Sequence, residues 1–330
     1  MRTFHFNCLC LLIFLNPSAQ IRMLSFQNYV LICAICCIIF AHIAEGYRAA
    51  VVEFAAQRVP NVNYSYAFKL NNSLNNVKNF EPFIAKAKQQ GSQIIVFPEY
   101  GVTGAGFEKK NSRFNRKEAG EFCETLPDAG KPLCTDKNSA QYPVGSALAC
   151  LAKKYSIVLV SNMLTRVPCK AEAKRCKDGQ KQYNTAVAFD EQGTLLAKYY
   201  KRHLYGPEKK SLDRGRSPPR DSVFKTSFGV EFGMFVCFDI LFEDFPSKSI
   251  KNWAYPTEWV NWSNLVRGER STDVQKIWSD VHSRNLLAAN YGGFGKKSSG
   301  SGIWLSGKAL AMFFNPTNEP MSRLLVADVI

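Results

Sequence analysis

Histidine is scarce. The 330 residues hold four, and two of them, His5 and His42, fall in an apolar N-terminal stretch, leaving His203 and His282 for the body. Zinc hydrolase sites usually take two or three imidazoles, so such a site is not expected, and no H-E-x-x-H occurs. Zinc-ribbon pairs are also missing: the C-x-x-C from Cys33 to Cys36 lies in the N-terminal stretch, with no βαβ context around it. The body lacks G-x-S-x-G, which argues against an α/β-hydrolase. Acidic residues are in deficit, 27 Asp+Glu against 42 Lys+Arg, for a formal net charge of +15. The positive charges are scattered in pairs such as Lys109-Lys110, Lys153-Lys154 and Lys209-Lys210, and no block of five or six like charges appears. That pattern does not fit a nucleic-acid partner, whose signature would be steeply salt-dependent retention on heparin or DNA.

Apolar residues make up 46% and charged residues 21%, so the chain can bury a large core and is not disordered. Residues 29 to 44, YVLICAICCIIFAHIA, carry no charge. The run is short for a membrane span of about 20 residues and fits the core of a signal peptide. Ala44-Glu45-Gly46 offers a small-x-small cleavage site, so residues 1 to 46 read as a leader and 47 to 330 as the mature domain. Met23 is the more ordinary start. An uncleaved leader holding the chain at a membrane is the alternative to secretion. The sequons at Asn63, Asn71 and Asn261 support secretion and glycosylation. Of eleven cysteines, six lie outside the leader: Cys123, Cys134, Cys150, Cys169, Cys176 and Cys237. In an oxidising compartment most should pair, and Cys169 with Cys176, around a short polar loop, is a natural bridge.

Along the body, Arg48 to Phe54 reads as a first strand. A helix capped by Ser73 is expected to run to Gln90, and a buried strand from Gln93 to Phe97. Glu108 to Pro143 reads as a long loop region. Gly145 to Tyr155 reads as a helix and Ile157 to Val160 as a strand. Tyr183 to Phe189 and Thr194 to Tyr200 form a strand pair around Asp190-Glu191-Gln192-Gly193. Glu231 to Val236 is a strand, Ser271 to Leu287 a helix, and Leu287 to Tyr291 a strand, with more strands between Ile303 and Val329. Strands and helices alternate, which means α/β.

Three polar residues end apolar strands: Glu99 after QIIVFP, Lys201 after LLAKYY and Cys237 after EFGMFV. Strand ends are where α/β proteins place reactive groups, because the sheet fixes them and loops give access. Together they suit amide cleavage: a carboxylate takes the thiol proton, and an ammonium holds a developing oxyanion. Each alone has an ordinary reading, as a loop carboxylate, a surface lysine and a small core cysteine.

Phe97-Pro98-Glu99-Tyr100-Gly101, Lys201-Arg202-His203-Leu204 and Cys237-Phe238-Asp239, in that order, resemble the three catalytic motifs of the carbon–nitrogen hydrolase (nitrilase) superfamily. Tyr183-Asn184-Thr185, Pro256-Thr257-Glu258-Trp259 and Ser299-Gly300-Ser301-Gly302-Ile303 agree. Cys237-Phe238-Asp239-Ile240-Leu241-Phe242, with the stretch from Cys134 to Cys176, is similar to the secreted pantetheinase and biotinidase branch, the vanins. The resemblance implies an αββα sandwich with a single catalytic domain. It gives Glu99 as general base, Lys201 as oxyanion-stabilising lysine, Cys237 as nucleophile and the Phe238 backbone N–H as second oxyanion donor. It implies bridges Cys134–Cys150 and Cys169–Cys176, with Cys123 left over. It implies no metal or organic cofactor. The expected substrate is a small linear amide, pantetheine first and a biotinyl amide as competitor. Self-association is left open.

Two departures stand out. In the relatives a helix follows the nucleophile, and a strand then leads into the Pro-Thr-x-Trp motif. Here the connector from Cys237 to Pro256 is shorter by about one helical turn or more, so a truncated or misregistered core strand, and an inactive protein, are expected alternatives. The relatives also carry a further C-terminal domain and sometimes a lipid anchor, neither of which is expected before Ile330. Gly302 to Lys308 matches GxxxxGK, but Ala309 replaces the Ser or Thr, and the stretch reads as strand and hairpin. A papain-like pair of Cys237 with His282 is conceivable, though His282 reads as lying on a helix face and His203 as structural. Trp253, Trp259 and Trp262 read as pocket lining or as core.

Overall fold

A computed structural model describes residues 46–58, 65–104, 115–170, 176, 178–216, 219–243, 249–259 and 270–330. Residues 1–45 of the leader, Asn63, Asn261, Trp262 and part of the shortened connector lie outside the described residues. Two six-stranded sheets pack face to face. The first contains β1 (Tyr47–Glu53), β2 (Ile94–Val96), β3 (Val158–Pro168), β4 (Gln180–Phe189), β5 (Leu195–Tyr200) and, at its far edge, β12 (Arg323–Val329), in the order β12-β1-β2-β3-β4-β5. The second runs β11-β10-β9-β8-β7-β6, from β6 (Val223–Lys225), β7 (Glu231–Met234), β8 (Asn252–Thr257), β9 (Asn285–Asn290), β10 (Ser301–Leu305) and β11 (Lys308–Phe313). β1, β2 and β3 are parallel, as are β7, β8 and β9, and the outer strands are antiparallel.

Parallel strands covered on both faces must be apolar on both. In β1, Ala49 and Val51 pack into the space between the sheets with Met234, Ala254 and Leu287. Ala50 and Val52 face the other way, onto α1 (Tyr66–Gln89) and the helix Pro143–Tyr155, through Val77, Phe80, Ile84 and Leu148. A short helix, α2 (Arg116–Gly120), precedes Pro143–Tyr155, which is α3. α4 (Ser271–Val281) covers the second sheet, with Val274 and Trp278 in its core. The arrangement is the αββα sandwich the motifs implied.

Several boundaries differ from the sequence reading. α1 begins at Tyr66, capped by Ser65, whose Oγ accepts the Phe68 N–H at 3.3 Å. Ser73 is buried inside the helix. The Asn-rich run there resembles turn sequence. Its amides instead bind neighbouring loops: Asn72 and Asn76 donate to the Gln57 carbonyl, and Asn76 also to Val102 O at 3.0 Å. Asn71 is exposed on this helix. The helix expected to reach Leu287 ends at Val281, because Ser283 takes a left-handed φ of 50° and Asn285 opens β9. β3 is extended to Pro168 by its long ladder with β4.

The expectation of a damaged strand beside the nucleophile is not met. β8 has six residues and pairs in unbroken parallel register with β7 and β9, from Asn252↔Asn285 to Thr257↔Asn290. What is short is the crossover before it: the described part of residues 235–251 holds a single-turn 3-10 helix, Cys237–Leu241, and no α-helix. Residues 302–308 lie in the β10–β11 hairpin, which a phosphate-binding loop could not use.

Candidate active site

β2 ends at Val96 and delivers Glu99. β5 ends at Tyr200 and delivers Lys201. β7 ends at Met234 and delivers Cys237. All three side chains are buried, Glu99 and Lys201 to 1% exposure and Cys237 to 8%. Lys201 Nζ lies 2.7 Å from Glu99 Oε1 and 2.8 Å from Glu208 Oε2. Asn184 Nδ2 donates to Glu99 Oε1 at 2.6 Å and to Glu208 Oε1 at 2.8 Å. Tyr100 OH donates to Glu208 Oε1 at 2.5 Å. The Glu258 backbone N–H, just beyond β8, closes the cage by donating to Glu99 Oε2 at 2.9 Å. The Cys237 sulfur lies near enough to Glu99 and Lys201 for each to shift its ionisation.

Two backbone kinks present these groups. Tyr100 and Cys237 have φ of 54° and 45°, left-handed values that cost a non-glycine residue about 1–3 kcal/mol unless the surroundings impose them. At Cys237 the surroundings are specific. Tyr255 OH donates to the Cys237 carbonyl at 2.9 Å. Buried Asp239 accepts from Val236 N (3.1 Å), Tyr199 OH (2.9 Å) and the His203 N–H (2.8 Å), which ties the Cys237 turn to the segment after Lys201. His203 Nδ1 lies 2.9 Å from Asp239 and its ring stacks on Phe242, so its place is structural. At Tyr100, the backbone N–H donates to Asn162 Oδ1 at 3.0 Å, and Asn162 in turn orients Asn184.

Burial pushes Glu99 above the usual carboxylate range, and the charge of Glu208 adds to this against the pull of Lys201. Burial lowers Lys201, but Glu208 and Glu99 outweigh it, so the ammonium stays charged. Burial and then Glu99 push the Cys237 thiol well up, so it rests as a thiol.

The chemistry-bearing residues read from the sequence therefore meet at one point. Glu208, Asn184 and Tyr100 complete the cage. Asn184 and Tyr100 sit inside the matching motifs; Glu208, between Pro207 and Lys209, reads as a solvated loop carboxylate. His282 caps α4 against Trp278, away from this cage. Trp253 is core, with Nε1 donating to Ile250 O at 3.2 Å, and buried Trp259 donates its backbone N–H to Asn290 Oδ1 at 2.9 Å. Both disulfides form, Cys134–Cys150 and Cys169–Cys176. Cys123 is a buried free thiol, pushed up to about 12 by burial.

The carbon–nitrogen hydrolase profile matches residues 49–248, which span the Glu99, Lys201 and Cys237 motifs. The chain belongs to the carbon–nitrogen hydrolase family. Among its relatives in this family, dog (Canis lupus familiaris) pantetheinase is 33% identical over 304 residues, 88% of this chain and 56% of the relative. Human (Homo sapiens) pantetheinase is 33% identical over 296 residues, covering 85% and 54%. Rat (Rattus norvegicus) biotinidase is 32% identical over 306 residues, covering 87% and 54%. The chain thus spans about half the length of the curated relatives it matches. The crystal structure of an amidase from Nesterenkonia sp. shares the carbon–nitrogen hydrolase fold, with a TM-score of 0.59 at 21% identity over 87% of this chain and 92% of that one.

Proposed function

We propose that the chain hydrolyses a small linear amide by a cysteine mechanism, with pantetheine as first substrate, giving pantothenate and cysteamine. The observation that carries this is the buried cage in which Glu99 and Lys201 meet at 2.7 Å beside the strained Cys237 turn. Glu99 takes the Sγ proton as sulfur attacks the amide carbon. The carbonyl oxygen gains negative charge and meets Lys201 and the Phe238 N–H. Two of the three Lys201 N–H bonds face Glu99 and Glu208, and the third serves the oxyanion. The tetrahedral adduct collapses and the amine leaves with the proton from Glu99. Water, deprotonated by Glu99, then attacks the thioester, releasing the acid and restoring the thiol. Glu208 holds Lys201 charged and in place. No metal or organic cofactor enters any step.

The pantetheinase relatives favour pantetheine, and the biotinidase relatives make a biotinyl amide the competitor. The two disulfides fit an extracellular protein. Residues 1–46 then act as a secretory leader, and Asn63, Asn71 and Asn261 are the glycan sites. The opposing reading, a non-catalytic protein, rested on a disrupted strand beside Cys237; the register of β8 counts against it. The test is purified secreted chain with pantetheine and a biotinyl amide, wild type beside Cys237→Ala, scored by released amine. Turnover lost in Cys237→Ala supports the reading, and the preferred amide names the substrate. Folded wild type that turns over neither amide contradicts it.

A further inference from the structure

The end of β1 buries a carboxylate that the chemistry above does not use. Glu53 is fully inaccessible and directly follows the buried run Ala49-Ala50-Val51-Val52. A buried carboxylate is costly unless donors surround it. Glu53 Oε1 accepts from Ser299 Oγ at 2.6 Å, and Oε2 accepts from Gly300 N at 2.8 Å and Ser301 Oγ at 3.0 Å. The carboxylate of one sheet thus gathers the turn that opens β10 of the other. A leucine would fill the position without needing donors, so the carboxylate calls for a reason.

The hydrogen bonds continue toward the reaction centre. Ser301 Oγ accepts the Asn290 N–H at 2.9 Å. Asn290 Oδ1 accepts the Trp259 N–H at 2.9 Å and the Tyr291 N–H at 2.9 Å. Trp259 follows Glu258, whose N–H is the donor at 2.9 Å to Glu99 Oε2. At the same seam the backbones of the two sheets are stitched together, Phe54 N to Asn290 O (3.2 Å) and Gly292 N to Phe54 O (3.0 Å). We infer that Glu53 is a positioning residue for Glu99: through Ser301 and Asn290 it fixes the Trp259 N–H, and with it the adjoining residue Glu258, whose own N–H holds Glu99 Oε2 beside the Cys237 thiol. The inference rests on the amidase reading for its kinetic readout but not for its thiol readout. Misplacing a general base by about 1 Å is enough to lower a rate about 100-fold.

The test uses the full chain as wild type, Glu53→Leu, Glu53→Gln and Ser301→Ala, each checked for folding by circular dichroism and melting. Two quantities are measured: kcat and KM for the amide, and the rate at which iodoacetamide alkylates Cys237, located by peptide mass. Cys123, the other free thiol among the described residues, lies on a different peptide, so its alkylation is counted separately. Glu53→Leu is expected to lower kcat about 10- to 100-fold with little change in KM, and to slow alkylation of Cys237 in parallel. Glu53→Gln should restore most of both, because its amide oxygen accepts the Gly300 and Ser301 donors and its amide N–H turns to Ser299. If Glu53→Leu does not fold, Ser301→Ala decides. It leaves Glu53 bound to Ser299 and Gly300, cuts the path to Asn290, and should still lower kcat and the alkylation rate. Folded variants with wild-type kcat and alkylation, or a loss confined to KM, overturn the inference. A wild type inactive on every amide, whose Cys237 is nevertheless alkylated more slowly in Glu53→Leu, overturns the amidase reading and leaves the positioning role standing.

Discussion

In the first sheet both parallel crossovers carry an α-helix: α1 between β1 and β2, and α3 between β2 and β3. In the second sheet α4 fills the β8–β9 crossover, whereas the described part of the β7–β8 crossover holds only the turn Cys237–Leu241. The strands do not register the difference. β8 is as continuous as its counterparts, and its outer face is closed by rings. The Trp253 indole lies across Gly233, where a Cβ would come within 2.3 Å of it, and packs against Phe235 and against Trp278 of α4. The comparison teaches what holds the nucleophile. Its turn is fixed by the Tyr255 hydroxyl from β8 and by Asp239.

The sharpest way to break the comparison is to truncate one buried residue in each half: Trp253 in β8, and Leu148 in α3, which covers the first sheet. Trp253→Ala should destabilise by about 3–5 kcal/mol and Leu148→Ala by about 2–5 kcal/mol, both read from chemical unfolding. They should differ in activity per folded molecule: Trp253→Ala loses it, because β8 carries Tyr255, and Leu148→Ala keeps it. Equal retention would mean that β8 does not position Cys237.

A second effect concerns the seam between the sheets. Burial pushes Glu53 from 4.5 up to about 7, against the pull of Ser299, Gly300 and Ser301. A carboxyl raised in the folded state binds its proton more tightly there than in the unfolded chain. Its contribution is therefore full below about 4.5 and is lost as pH rises through about 7. Measured against Glu53→Gln, which cannot titrate, wild type should lose up to about 3 kcal/mol of relative stability between pH 4.5 and 8, at ~1.4 kcal/mol per unit. A pH-independent difference in melting temperature would contradict this. The smallest effect is expected from Tyr255→Phe: about 1 kcal/mol of stability and a few-fold fall in kcat, from one lost hydrogen bond to the Cys237 carbonyl.

Glu99, Lys201 and Cys237 were legible in the sequence because each follows a strand and because the three motifs that hold them, in their order, resemble those of the family; strand ends alone left each residue an ordinary reading. Glu208 was not, since its burial depends on Lys201 and Tyr100, which reach it from other segments. Glu53 hid for a related reason: the run from Arg48 to Phe54 marks a strand but does not show that both its faces are covered. The start of α1 was misplaced because Asn72 and Asn76 read as turn formers until their loop partners are known. The short connector was visible, but not that β8 keeps its register, because the pairing that holds it comes from β7 and β9.

The most direct measurement is acid-quenched mass spectrometry of the chain during turnover of pantetheine. The account predicts a pantothenoyl thioester on the peptide bearing Cys237 and none on that bearing Cys123. Turnover in which Cys237 stays unmodified, or in which the acyl group sits on another residue, would contradict it.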